Sequence, residues 1–202
     1  MKLRFGWLPI ALAALCGCGG AAHQEALSLC KILANGHADF LAANAKETEL
    51  MAATAAWADT IIRSGAGRGG QLEQNAKVAE DLANSADQVG TQVGQLRKAI
   101  FDLALQQEFT QGVRSTLTTQ LTRRQRTLQE LRTALTESAA QFRELSQTRS
   151  YKGDSYPTAI DKVNQMAQTA KPPEDVVGQA LSALKDKYGI KDSDLVTPAT
   201  AK

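Results

Sequence analysis

Histidine, cysteine, proline and aromatic residues are all scarce in this chain, and each shortage excludes something. Only two histidines, His23 and His37, occur in 202 residues. There is no C-x-x-C-H run and no Glu-x-x-His pair, so neither haem attachment nor a ferritin-like di-iron site is expected, and no metal or other cofactor. No G-x-S-x-G motif is present, and Cys30 has no base near it in sequence, so the ordinary signatures of nucleophilic catalysis are missing. The helical acids, among them Glu47, Glu49, Glu80, Asp81 and Glu108, read as solvated-face charges, and an enzyme is not expected. Aromatics make up 5% of the residues, and no alternating β-branched run occurs, which argues against strands. What is abundant is Ala, Leu, Gln and Thr, a mixture that favours helix.

The charge balance is nearly even, with 23 Lys and Arg against 21 Asp and Glu. Lys2 and Arg4 stand at the extreme N-terminus, and residues 1–17 hold no acid. Without that segment the chain carries 21 charges of each sign, so no overall argument for nucleic-acid binding exists.

That first segment has its own pattern. A short positive start is followed by an uncharged, mostly apolar stretch over residues 5–15, too short to span a bilayer. It ends in Leu15-Cys16-Gly17-Cys18. This order resembles the signal peptide and lipobox of bacterial lipoproteins, with Leu15 three residues ahead of the modified Cys18 and small Gly17 just before it. Cys16 fits less well, because Leu15 would fill the small-residue position. The resemblance implies cleavage before Cys18 and a diacylglycerol thioether on its sulfur, usually with a further acyl chain on the amine. Two or three chains make a lasting membrane anchor, at about 0.8 kcal/mol per buried CH₂. Gly19, rather than Asp, points to the outer membrane facing the periplasm. Residues 19–22 read as a short spacer. Cys30 is then the sole remaining thiol, expected as a small buried hydrophobe or as an intermolecular disulfide across a dimer.

A first helix is expected over residues 23–63, with an apolar face through Leu27, Cys30, Ala34, Leu41, Met51, Ala55, Ala58 and Ile62, widened by Leu29, Leu33, Phe40, Leu50, Trp57 and Ile61. Residues 64–70 read SGAGRGG. Gly65, Gly67 and Gly70 match G-x-G-x-x-G literally, but no strand precedes them, so the segment reads as a flexible interhelical turn and not a dinucleotide site. One heptad register then persists over residues 72–145, and sixteen of its 22 seam positions are apolar. Four of the six exceptions, Gln107, Thr110, Arg114 and Arg124, fall near its middle. The unbroken register, with no Pro, Asn or Asp at the weak point, favours one helix of roughly 78 residues and roughly 115 Å. Matched arm lengths favour instead a turn near residues 110–112. Two short helices follow, one opened by Pro157 with Ser155 near its start, the other opened by residues 172–175 and closed by Gly189. Residues 190–202 read as a loose polar tail. The expected fold is all-α: an antiparallel helical hairpin or bundle with coiled-coil character plus two short C-terminal helices. Its parts are the leader over residues 1–17, the lipidated Cys and spacer over 18–22, the long helical domain over 23–149, the short helices over 150–189 and the tail.

The one local charge asymmetry is residues 111–129, with Arg114, Arg123, Arg124 and Arg126 and no acid. It reads either as a site for an anionic partner, carried by Arg123, Arg124 and Arg126, or as helix-surface arginines paired with acids on a neighbouring helix. A lipidated Cys18, a coiled-coil-like helix and a terminal Lys202 also resemble the major murein lipoprotein, which implies a covalent link from Lys202 to peptidoglycan. The chain is far longer than that family and has two extra helices. The leading expectation is a lipid-anchored scaffold or interaction module of the cell envelope, held to the membrane through Cys18, with a protein partner or self-association. The alternatives are a ligand-binding lipoprotein with an interhelical pocket, or a lipid-to-peptidoglycan tether.

Overall fold

The computed structural model describes residues 9–148 and 158–196, and over residues 9–19 it describes only the helical course of the backbone. Among the described residues there are six helices and no strand: α1 (Pro9–Ser64), α2 (Gly70–Phe101), α3 (Glu108–Gln147), α4 (Ala159–Thr169), α5 (Val176–Tyr188) and α6 (Asp192–Leu195). The fold is all-α, and the helices pack into bundles.

Helix α1 starts well ahead of the expected His23, and Gly20, Ala21 and Ala22 belong to it rather than to a spacer. Gly17, Gly19 and Gly20 each cost a helix about 1 kcal/mol relative to alanine, and the flanking alanines, the best helix formers, offset part of that. Its buried face is a heptad running through Ala26, Leu29, Leu33, Gly36, Phe40, Ala43, Glu47, Leu50, Thr54, Trp57 and Ile61, of which all but Gly36 and Trp57 are buried. Leu41, expected on the apolar face, lies off this seam and is 43% exposed. The helix ends where Gly65 takes a positive φ of 74°.

The turn between α1 and α2 is built, not slack. Gly65, Gly67 and Gly69 all have positive φ, a conformation other residues rarely adopt. Ala66 is fully buried, and its carbonyl accepts from Asn75 Nδ2 at 3.0 Å. Asn75 Oδ1 in turn accepts from Trp57 Nε1 at 3.4 Å. The polar seam position Asn75 thus ties the turn to both helices it joins.

The expected continuous helix over residues 71–149 is not formed. The chain breaks at residues 102–107, a few residues before the alternative turn at 110–112, and this divides it into α2 and α3. The reason lies in polar side chains at the start of α3, the seam residue Arg114 and its off-seam neighbour Gln111. Gln111 Nε2 donates to the Leu105 carbonyl at 2.8 Å, and Arg114 Nη1 donates to the Leu103 carbonyl at 2.7 Å. Leu105 itself is buried and pins the loop. The turn needs no Gly or Pro, because side chains supply the partners that its backbone groups lose.

The chain divides into two compact units. The first comprises Met1–Ala38, Lys98–Thr118 and Val176–Lys202. Its core holds Leu29, Cys30, Leu33, Ile100, Leu117, Leu184 and Ile190. Helix α5 is closed by Gly189 at φ 66°, and the Ile190 N–H bonds to the Lys185 carbonyl at 3.1 Å, a Schellman-type stop. The expected loose tail is corrected over its first residues: Ile190 is buried and α6 follows it.

The second unit comprises Asp39–Arg97 and Thr119–Asp175. Within it α2 runs antiparallel to α3, as the Glu80–Arg143 and Asp87–Arg132 ion pairs show. Gly94 on α2 faces Gln125 on α3: a Cβ there would meet the Gln125 amide nitrogen at 2.6 Å, a contact that this flexible side chain can relieve by turning aside. The Trp57 and Phe142 rings meet at 5.9 Å, and Leu128, Leu131, Leu135, Ile160 and Val163 fill the rest. Each fully buried side chain of this size contributes about 1.5–3 kcal/mol. Pro157 and Ser155, expected at the start of α4, lie outside the described residues.

Candidate functional site

Two polar clusters interrupt the apolar seams. In the first unit, Glu25 on α1 reaches the start of α3. Its carboxylate accepts the backbone N–H groups of Gln106 at 2.8 Å and Gln107 at 2.9 Å, and the buried Thr110 hydroxyl donates to it as well. This is an N-cap supplied by another helix, at the end where a helix favours negative charge. Burial pushes the Glu25 carboxyl up, but the Thr110, Gln106 and Gln107 hydrogen bonds and the Arg114 charge outweigh it. The net effect holds the carboxyl below its ordinary range.

In the second unit, Arg124 on α3 turns into the bundle. Its Nε donates to Glu47 Oε2 at 2.5 Å, its Nη1 donates to Asn44 Oδ1 at 2.5 Å, and its Cζ lies 5.0 Å from the Phe40 ring centroid. Only 13% of the Arg124 side chain and 11% of Glu47 are exposed. Arg124 Nη2 is buried with no partner. These groups bind one another, and nothing in the cluster offers a nucleophile beside a base.

Of the expected anion-binding arginines, Arg123 and Arg126 stay on the exposed surface of α3 and Arg124 does not. Arg124 is withdrawn into the pair with Glu47, Arg126 pairs with Glu130 four residues on at 2.9 Å, and Arg123 is exposed. The structure thus removes Arg124 from any surface anion site, because its charge is already matched inside the bundle. Arg114 is likewise engaged, by the turn.

Cys30 is fully buried in the first unit. Burial pushes its thiol up to about 11, against the opposing charge of Lys185. That removes the basis for a disulfide to a second copy. With its sulfur shut away from solvent and its thiolate disfavoured, Cys30 is expected to resist maleimide in the native protein and to react on denaturation. Native labelling at the denatured rate would overturn its placement.

Two grooves flank α1 in the second unit. One, of about 200 Å³, is lined by Glu47, Thr48, Met51, Ala52, Ala167 and residues 170–173. The other, of about 340 Å³, is lined by Lys46, Glu49, Leu50, Ala53, Leu82, Ser85, Gln88 and Val89. Both open broadly to solvent, unlike the enclosing clefts of roughly 300–1,000 Å³ that hold small molecules. Among the described residues no cluster of three His, Cys, Asp or Glu could hold a metal, and no helix is long and apolar enough to cross a membrane. Of Leu15, Gly17 and Cys18 only the backbone course is described, and Lys202 lies outside the described residues. His23 Nδ1 lies 3.1 Å from the Tyr188 carbonyl and donates to it, which ties α1 to the end of α5.

No protein-family model matches the chain, and neither a curated protein nor a solved structure matches it.

Proposed function

We propose that the chain is a lipoprotein of the bacterial cell envelope, anchored through Cys18, whose helical bundles serve as a scaffold or protein-interaction module. The observation that carries this reading is Leu15-Cys16-Gly17-Cys18, placed directly behind a basic start and an 11-residue uncharged stretch over residues 5–15. The polar groups buried in the bundles, Thr110, Asn44 and Glu47, support the non-enzymatic half of the reading, since they are engaged in holding helices together. Gly19 after Cys18 supports the outer membrane as the destination, facing the periplasm. A wall tether through Lys202 drew its reach from a helix of roughly 78 residues. With the helix divided, the 40 residues of α3 rise only about 60 Å, and that argument lapses.

Metabolic labelling with an alkyne fatty acid tests the anchor. Wild type and Cys16→Ala are expected to label, and Cys18→Ala to lose the label and leave the membrane fraction. Loss of label only in Cys16→Ala would refute the assignment.

A further inference from the structure

Among the described residues the two most exposed aromatic side chains flank one turn. Phe101, the last residue of α2, is 63% exposed, and Phe109, in the first turn of α3, is 39% exposed. Tyr188 at the end of α5 lies 6.0 Å from the Phe109 ring, and Lys187 Nζ lies 5.7 Å from that ring's centroid. All belong to the first unit. Exposed Phe beside Tyr and Lys is the composition of a membrane interface, where rings sit at headgroup level and Lys extends its ammonium towards water.

The chain itself says which surface meets this patch. Glu25 binds the turn between the two Phe residues, and His23 binds Tyr188. Cys18 stands seven residues before Glu25, roughly 10 Å along a helix. The headgroup layer is itself roughly 5–7 Å deep on each side of the hydrocarbon core. An acyl chain on Cys18 would therefore hold the turn that Glu25 binds, between Phe101 and Phe109, close to the headgroup layer. The patch is electrically balanced: Lys98, Arg114 and Lys187 stand against Asp102, Glu108 and Glu25. It suits apolar insertion rather than attraction to anionic lipid.

We propose that the turn between α2 and α3 is a second membrane contact, in which Phe101 and Phe109 dip into the headgroup region and seat the first unit on the bilayer. The proposal rests on the lipoprotein reading for its geometry, and its test is separable from that reading. Phe101→Trp is compared with Asn35→Trp, an exposed α1 position in the same unit roughly 15 Å further from the lipid end than Glu25. Both are placed in the full chain in a Trp7→Leu, Trp57→Phe background. The probe is a phosphatidylcholine vesicle brominated on the acyl chains near the headgroup. Quenching at Phe101→Trp is expected to exceed that at Asn35→Trp by at least about threefold and to be unchanged by salt. Equal quenching at the two positions in vesicle-bound protein would overturn the contact, as would none at Phe101→Trp. If fatty-acid labelling of Cys18 fails, the anchor reading falls, and the contact is decided by the same comparison at saturating vesicles. Preferential quenching there upholds it, and its absence refutes it.

Discussion

Replacing Glu47 with alanine is expected to lower the unfolding free energy by about 3–5 kcal/mol, the cost of stranding one member of a buried ion pair. Arg124 would keep only Asn44 and the face of Phe40, with two of its three nitrogens lacking a partner in a site from which water is largely excluded. For a domain of this size that is a fall in melting temperature of roughly 10 °C. Removing both charges is a different experiment. Glu47→Leu with Arg124→Leu fills the same seam positions with apolar volume, and such exchanges are neutral or stabilising by about 1–4 kcal/mol. The double variant should therefore melt at or above the wild type while Glu47→Ala alone melts well below it. Thermal denaturation followed by circular dichroism reads both. A loss of under about 1 kcal/mol in Glu47→Ala would mean that water reaches the guanidinium and that the pair is no stronger than a surface one. The cluster's use is specificity: Arg124 can meet Glu47 and Asn44 at only one axial offset of α1 on α3, whereas leucines slide past leucines at any multiple of a heptad.

That same cluster explains what could and could not be read from the sequence. The all-α class was legible, since 3/4 spacing over long stretches and the absence of alternating β-branched runs both pointed to it. So was the glycine turn, because three positive φ values in five residues need glycine. The α1 seam was partly hidden, since Gly36, Glu47 and Thr54 occupy seam positions and an apolar-only pattern drifts through them to Leu41 and Ile62. The break at residues 102–107 was hidden for a different reason. The spacing of Leu103, Gln107 and Thr110 stays in register across it, so periodicity carries straight through a turn of the right length. The polar seam residues were the available signal. Read as weak points in a helix, Gln107, Thr110 and Arg114 point to a hinge; read as hydrogen-bonding groups, Thr110 and Arg114, with Gln111 beside them, are what a Gly-free turn requires. Glu25, which holds Gln106 from 81 residues away in sequence, had no local signal beyond its place at a helix start.

Glu25→Ala is expected to cost about 2 kcal/mol, with the damage concentrated at residues 102–110. Hydrogen bonds to a charged partner contribute about 1.5–3 kcal/mol each, but water can replace the carboxylate at the exposed Gln106 N–H, so the three do not add in full. The buried Thr110 hydroxyl has less recourse to water and carries most of the loss. Amide exchange at Gln106 and Gln107 should accelerate in the variant while the Leu128–Leu135 region of α3 keeps its protection. Acid should mimic the substitution. The folded protein holds the Glu25 carboxyl below its ordinary value of 4.5, so the unfolded chain takes up its proton first as the pH falls. The contribution is fully present above that ordinary value and fades as the pH drops through the lower folded one. The difference in denaturation midpoint between wild type and Glu25→Ala should therefore be largest near neutrality and shrink steadily below pH 4.5. Taking the difference cancels the other carboxylates, which titrate alike in both proteins. A gap that stays constant down to pH 3 would show that Glu25 acts through the packing of its methylenes and not through its charge, and the turn would then be held by Gln111, Arg114 and Leu105 alone.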